Sequence, residues 1–200
     1  QGPRLFREIR RRVTLSGGEP TLQPAFAVAL LRELRARGVS TALDTCGLCP
    51  SETLEALAAE SDLILYDLKL IDPAAHRHYT GADNARILDN LAWLGAYLAA
   101  RPEKRLWVRT PLIPEATATQ DNIFAIGAWL AKHLPGRVER WELCAFNNLC
   151  RDKYRRLGLD WEFASAPLMT QAQLDQAQSW ARASGFDPSR AFVTGAARAE

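Results

Sequence analysis

Apolar and polar positions along the chain switch repeatedly between a period of two and a period near 3.6, which predicts strands alternating with helices. Val13 to Ser16 is a short apolar strand. From Pro24 the period becomes helical, with Phe26, Leu30, Leu31 and Leu34 on one stripe and Gly38 placed to end it. Val39 to Leu43 is the second strand, Ser51 caps a helix carrying Leu54, Leu57 and Ala58, and Leu63 to Tyr66 is an apolar run of the kind buried on both faces of a parallel sheet. A turn around Pro73 leads to a helix from about Asn84 with Ile87, Leu88, Leu91, Leu94 and Leu98 inward, and Leu106 to Val108 is the fourth strand. Asp121 opens a helix with Ile123, Ile126, Leu130 and Leu134 on its stripe, ending at Gly136, and Val138 to Ala145 is the fifth strand. Thr170 caps a last helix through Leu174 and Ala177, stopped near Gly185, and Phe192-Val193 forms a final short strand.

Strands separated by helices demand right-handed crossovers and parallel pairing. Whether such a sheet closes is read from its strand ends, because an open doubly wound sheet gathers its ligand at one switch point, whereas a barrel aims most strands at one mouth. Here polar groups recur after nearly every strand: Ser16-Gly17-Gly18-Glu19-Pro20, Asp44-Thr45-Cys46-Gly47, Asp67-Leu68-Lys69, Arg109-Thr110-Pro111 and Asn147-Asn148. The expectation is an α/β fold with a barrel-like, incomplete parallel sheet, in one domain over residues 1–200.

Composition narrows the class. The 200 residues are 48% hydrophobic and 24% charged, which suits a globular chain with a real core and excludes disorder. A net charge of +2, from 25 basic and 23 acidic residues, is too balanced for a nucleic-acid footprint; Arg4, Arg7, Arg10, Arg11 and Arg12 are read as a solvated face. No apolar run reaches the length of a membrane span and the start lacks a signal-peptide core, so the expected location is cytoplasmic, with neither nucleic acid nor membrane as partner.

The strand ends carry the chemistry. Gly17 and Gly18 let backbone approach a ligand closely, and Glu19 adds an acceptor. Asp67 and Lys69, two apart at a strand end, share a face and so put opposite charges side by side. A zwitterionic amino-acid group would satisfy both, with Arg109 as a second carboxylate or ribose clamp. Asp44 on its own could equally cap a helix. His76, His78 and His133 are assigned no chemistry. Cys46 and Cys49 form a C-x-x-C, and Cys144 and Cys150 follow later; without a nearby histidine, these are read as free thiols in a reducing compartment rather than a redox or metal site.

Taken together, Ser16-Gly17-Gly18-Glu19-Pro20, Asp44-Thr45-Cys46-Gly47, Asp67-Leu68-Lys69, Trp107-Val108-Arg109 with Pro114, and Glu142 to Asn147 resemble, in order and spacing, the radical S-adenosylmethionine enzymes that activate glycyl-radical enzymes, such as pyruvate formate-lyase activase. The resemblance spans nearly the whole chain. It implies a partial (β/α) barrel in which Gly17, Gly18 and Glu19 bind the amino group of S-adenosylmethionine. By the same resemblance the Asp67-Leu68-Lys69 strand end and Arg109 hold its carboxylate and ribose, Asn147 reaches the adenosyl portion, and Asp44 is counted with these cofactor-binding residues. It also implies a 4Fe-4S cluster that converts S-adenosylmethionine to a 5′-deoxyadenosyl radical, a glycyl-radical enzyme as protein substrate, and an electron donor such as flavodoxin or ferredoxin. Two departures stand out. The family's cluster-binding C-x-x-x-C-x-x-C does not occur in these residues, so the first β/α unit and cluster loop are expected upstream of Gln1, and this chain alone is expected to bind but not to catalyse. Position 147 carries Asn where the pyruvate formate-lyase activase has His. Two other readings are a barrel lyase or isomerase using Lys69 as a Schiff-base or proton-transfer residue, and a non-catalytic remnant that binds a protein partner.

Overall fold

A computed structural model describes residues 12–198. Six strands, β1 (Arg12–Leu15), β2 (Ser40–Thr45), β3 (Leu63–Asp67), β4 (Arg105–Leu112), β5 (Arg140–Ala145) and β6 (Ala191–Thr194), form one sheet in the order β1-β2-β3-β4-β5-β6. Every neighbouring pair is parallel. The helices are α1 (Pro24–Ala36), α2 (Ser51–Ala59), α3 (Pro73–Thr80), α4 (Ala85–Ala99), α5 (Gln120–His133), α6 (Cys150–Arg156) and α7 (Gln171–Ala183). Sequential strands that are also spatial neighbours, each reached through a helical crossover, make the open-sided barrel the strand ends called for.

Side-chain alternation divides the sheet into two unlike faces. Leu43, Ile64, Tyr66, Leu106, Val108, Leu112, Trp141, Leu143 and Ala191 are buried in one cluster with Leu31, Leu54, Leu57, Leu91, Leu94, Ile123, Ile126, Leu130 and Leu174 from the helices. The alternate positions, Asp44, Leu65, Asp67, Trp107, Arg109, Glu142 and Cys144, are only partly buried. The helices therefore cover one face and leave the other open. Leu63 to Tyr66 is thus not buried on both sides as its composition suggested: Ile64 and Tyr66 are fully covered, whereas Leu63 and Leu65 line the open face. Along the N-terminal half of that face runs a groove of about 860 Å³, floored by Ala42, Leu63, Leu65 and Trp107.

Local differences from the sequence reading have local causes. Phe26 points to solvent, 62% exposed, because Ala27 and Leu31 supply the buried stripe of α1. The turn at Pro73 is the first turn of α3, capped by Asp72 accepting from the Ala75 amide at 2.7 Å; proline suits the first helical position, whose N–H has no intrahelical partner. Ser51 does not cap α2: it is the first helical residue, and its hydroxyl donates to Asn90 at 3.0 Å. Thr119 rather than Asp121 caps α5. Strand β4 extends at both ends beyond Leu106 to Val108, and β5 starts at Arg140 rather than Val138. Thr170 does cap α7, in a reciprocal box with Gln173. Arg4, Arg7, Arg10 and Arg11 lie outside the described residues; Arg12 is exposed.

Candidate functional site

Parallel register puts the C-terminal ends of β1 to β4 beside one another, and the open-face side chains there form one connected network. Ser16 Oγ, just past β1, donates to Asp44 Oδ2 at 2.8 Å. Asp44 Oδ1 accepts from Arg109 Nη2. Arg109, paired in register with Asp67, also donates to Asp67 Oδ1 through Nε at 3.2 Å and Nη2 at 3.0 Å. Asp67 Oδ2 accepts from Lys69 Nζ at 3.1 Å. Two carboxylates and two cations thus form an electrically neutral set. Burial opposes the charge on Arg109, but Asp67 and Asp44 more than offset it and raise the guanidinium pKa. Arg109 Nη1 and the remaining protons of Lys69 have no partner among the described residues.

The glycine turn lies at the same end. Gly17 and Gly18 adopt φ of +85° and +52°, which disfavours side chains, and the space a Cβ would occupy at either is empty to 4 Å. Among the described residues nothing hydrogen-bonds to their amides or carbonyls. Glu19, in contrast, is consumed internally. Its Oε1 accepts from the Thr21 amide at 3.1 Å and Thr45 Oγ1 at 2.8 Å, and its Oε2 accepts from the Cys46 amide at 3.0 Å. Glu19 thereby fastens the glycine turn to the end of β2, beside the acceptor role expected of it. Burial would push its pKa up, yet the donors from Cys46, Thr45 and Thr21 hold it below the usual carboxylate value. A depressed folded-state pKa stabilises the fold above the unfolded value and loses that contribution as pH falls through the folded one. Urea melts across pH 3–6 are therefore expected to show an acid loss of stability that is shallower in Glu19→Gln than in the parent; equal slopes would remove Glu19 from this role.

The remaining expected site residues divide. Asp44 and Asp67 belong to the network, so neither is a helix cap. The premise that Asp67 and Lys69 need an external partner is also corrected, because each partners the other. Leu68 is fully buried among core residues; its amide donates to Arg109 O at 2.9 Å and its carbonyl accepts from Thr110 Oγ1 at 2.8 Å. These two bonds make Leu68 a brace between β3 and β4. Asn147 is exposed beyond β5, and its Oδ1 accepts from the Leu149 amide at 3.2 Å, outside the network. Two residues given no role in the sequence reading border the site. Glu142 stands in register with Arg109 on the open face, 2.7 Å from Arg140; the alternation of Arg140, Glu142 and Cys144 along β5 was the available signal. Asn90 of α4 donates to Gly47 O at 2.7 Å and Cys49 O at 2.9 Å, holding the loop after β2.

All four cysteines are free. Burial pushes the Cys49 thiol up to about 11 and raises those of Cys46 and Cys144, which disfavours the thiolate that metal binding and redox attack need. Among the described residues no group of three or more His, Cys, Asp or Glu could hold a metal ion, and no helix is long and apolar enough to cross a membrane. The residues present therefore do not fit an iron–sulfur cluster.

Comparison with known proteins agrees with this geometry. The chain is 40% identical over 146 residues to the isethionate sulfite-lyase activating enzyme of Desulfovibrio desulfuricans, covering 73% of this chain and 45% of that protein. It is 32% identical over 181 residues to the pyruvate formate-lyase 2-activating enzyme of Escherichia coli, covering 90% of this chain and 59% of that one. The chain thus spans about half the length of these relatives. A solved domain of a pyruvate-formate lyase-activating enzyme from Bacteroides vulgatus superposes with a TM-score of 0.71 at 26% identity, covering 92% of this chain and 98% of that domain. The Radical SAM superfamily model matches residues 4–120, from before β1 to the start of α5 and so across the whole network. With sequence, sheet and strand-end network in agreement, the chain belongs to the radical SAM superfamily, among relatives that are glycyl-radical enzyme activating enzymes.

Proposed function

We propose that the chain binds S-adenosylmethionine across the Gly17-Gly18 turn and the Asp67–Lys69–Arg109 network, as part of an enzyme that activates a glycyl-radical enzyme. The observation that carries this reading is the pairing of an open glycine backbone with a neutral ion network that keeps spare donors. The free carbonyls of Gly17 and Gly18 suit an ammonium group. Arg109 Nη1 and Lys69 suit a carboxylate, and Asp44 and Asp67 hold those cations in place. Ligand and site then match as zwitterion to zwitterion, so little uncompensated charge is desolvated on binding. When bound, the family's reduced iron–sulfur cluster would supply the electron for radical chemistry on S-adenosylmethionine, and no step of that chemistry is assigned to the residues described. The described residues provide no ligands for that cluster, so the part of this chain is to bind and orient. A flavodoxin or ferredoxin as electron donor belongs to the same reading, and four free thiols fit a reducing compartment such as the cytoplasm.

Lys69 as a Schiff-base lysine has less support, because its amine sits in an ion pair with Asp67 instead of being presented free to a carbonyl. Calorimetry decides between them. Titration with S-adenosylmethionine at millimolar concentration is expected to give saturable heat with Kd near about 1 mM, or roughly −4 kcal/mol. Heat indistinguishable from buffer in a cooperatively folded sample would overturn the assignment.

A further inference from the structure

Between β5 and α7 the chain leaves the two layers, and α6 within that stretch has no buried residue. Aromatic rings fasten it. Phe146 is buried, with ring centroids 5.9 Å from Trp161 and 6.5 Å from Phe163; Tyr154 stacks on Trp161 at 5.6 Å, and Phe163 lies 6.3 Å from Tyr79 of α3. With the rings turned to one another, Leu149, Leu157 and Leu159 are left 80%, 61% and 56% exposed. Single exposed leucines are ordinary on a surface, but three within eleven residues are a concentration of apolar area at the two ends of α6.

Charge says what kind of thing. Helix α6 carries Arg151, Lys153, Arg155 and Arg156 against Asp152 alone. Asp152 is shared between Arg155 and Arg156, and both arginine side chains remain 79% exposed. Lys153 has no ion-pair or hydrogen-bond partner among the described residues. Asp160 and Glu162 follow the bend at Gly158, which has φ +66°, and form no ion pair with α6 among the described residues. The segment begins directly after β5, whose last residue Ala145 is in register with Leu112 of β4, so it lies at the same end of the sheet as the Arg109 network.

We infer that the Leu149–Leu159 segment is the docking surface for the protein partner, and that it receives an acidic stretch with apolar residues between its carboxylates. This rests on the reading of the partner as a glycyl-radical enzyme. Leucines would supply buried area, and the arginines and lysine would supply orientation and a salt-sensitive encounter rate.

Biolayer interferometry against a panel of purified glycyl-radical enzymes, isethionate sulfite-lyase, choline trimethylamine-lyase and pyruvate formate-lyase, tests it, with three forms of this chain: the parent, Leu149→Ser/Leu157→Ser/Leu159→Ser, and Lys153→Glu/Arg155→Glu/Arg156→Glu. None of these residues belongs to the network. The expected result is binding by the parent that weakens with added salt and falls by about tenfold or more in each triple variant, with unchanged melting and unchanged S-adenosylmethionine heat. Equal binding by all three forms overturns the docking surface. So does absence of parent binding while the S-adenosylmethionine heat persists. Parent-specific capture by phosphatidylserine vesicles, or self-association of the parent that the leucine variant loses, with no lyase binding, reassigns the face and also overturns the proposal. Failure of the S-adenosylmethionine heat in the parent is a separate result, which counts against the functional reading itself.

Discussion

Arg109→Ala is expected to abolish measurable S-adenosylmethionine binding and to destabilise the fold by about 2–3 kcal/mol, somewhat below the cost of breaking a fully buried ion pair. Arg109 is the link between Asp44 and Asp67, which have side-chain exposures of 16% and 26%. Removing it leaves two partly buried carboxylates facing each other with only Lys69 and Ser16 for company, and repulsion adds to lost attraction. The unmet charge, rather than the missing contact, causes most of the damage. Adding Asp44→Asn to Arg109→Ala should therefore recover about half of the lost stability without restoring binding. Arg109→Lys should keep the fold but weaken binding, because a single ammonium cannot serve both carboxylates and a ligand through separate nitrogens. Urea melts and calorimetry on the four proteins measure both quantities; a double variant less stable than Arg109→Ala would show that the network is not held together by charge balance.

The second large effect is expected at Gly47, where Gly47→Ala should destabilise by about 3 kcal/mol or more, combining a strained positive φ with overpacking. Gly47 sits at φ +71°, and a Cβ there would lie 1.7 Å from the Tyr66 hydroxyl oxygen and 2.2 Å from its ring. Tyr66 cannot move aside, because it is fully buried and its hydroxyl donates to Ile87 O at 2.7 Å. Gly17→Ala is the informative contrast. Its φ is also positive, at +85°, but the space around it is empty, so the cost should be limited to backbone strain of about 1–2 kcal/mol. Its expected defect is in ligand binding, since a methyl would occupy the cradle. Thermal melts and calorimetry of the pair separate a glycine needed for packing from one needed for access. Equal destabilisation with intact binding in Gly17→Ala would mean that the turn at Gly17-Gly18 holds nothing.

Much of the site was legible because its parts lie at strand ends, which local patterns locate well. Asp67 and Lys69 could be placed on one face from a two-residue spacing, and Arg109 singled out as a charged residue closing an apolar strand. What those side chains bond to was not legible. A carboxylate two residues from a lysine reads the same whether the pair awaits a ligand or is already joined, and Glu19 reads as an open acceptor unless the Thr45 and Cys46 donors are known to face it. Asn147 stands exposed beyond β5, and the bond of its Oδ1 to the Leu149 amide could not be read from the sequence. Helix α6 was invisible because it buries nothing and so leaves no apolar stripe to detect.

The order of the six strands and of helices α1, α2, α4, α5 and α7, the parallel sheet and the set of strand ends that bear polar residues were determined by the sequence alone, because hydrophobic period, glycine stops and crossover geometry act over neighbouring residues. The tertiary structure decided which of those residues bind one another. Register between β3 and β4 sets Asp67 beside Arg109, 42 residues away, and the order β2-β3-β4 lets the same guanidinium reach Asp44, 65 residues away. It also decided that the helices cover one face only, so that alternate residues of apolar strands line an open surface. Such choices depend on long-range pairing, where a shift of one residue exchanges the two faces of a strand, and local sequence carries no record of the distance across which a charge is met.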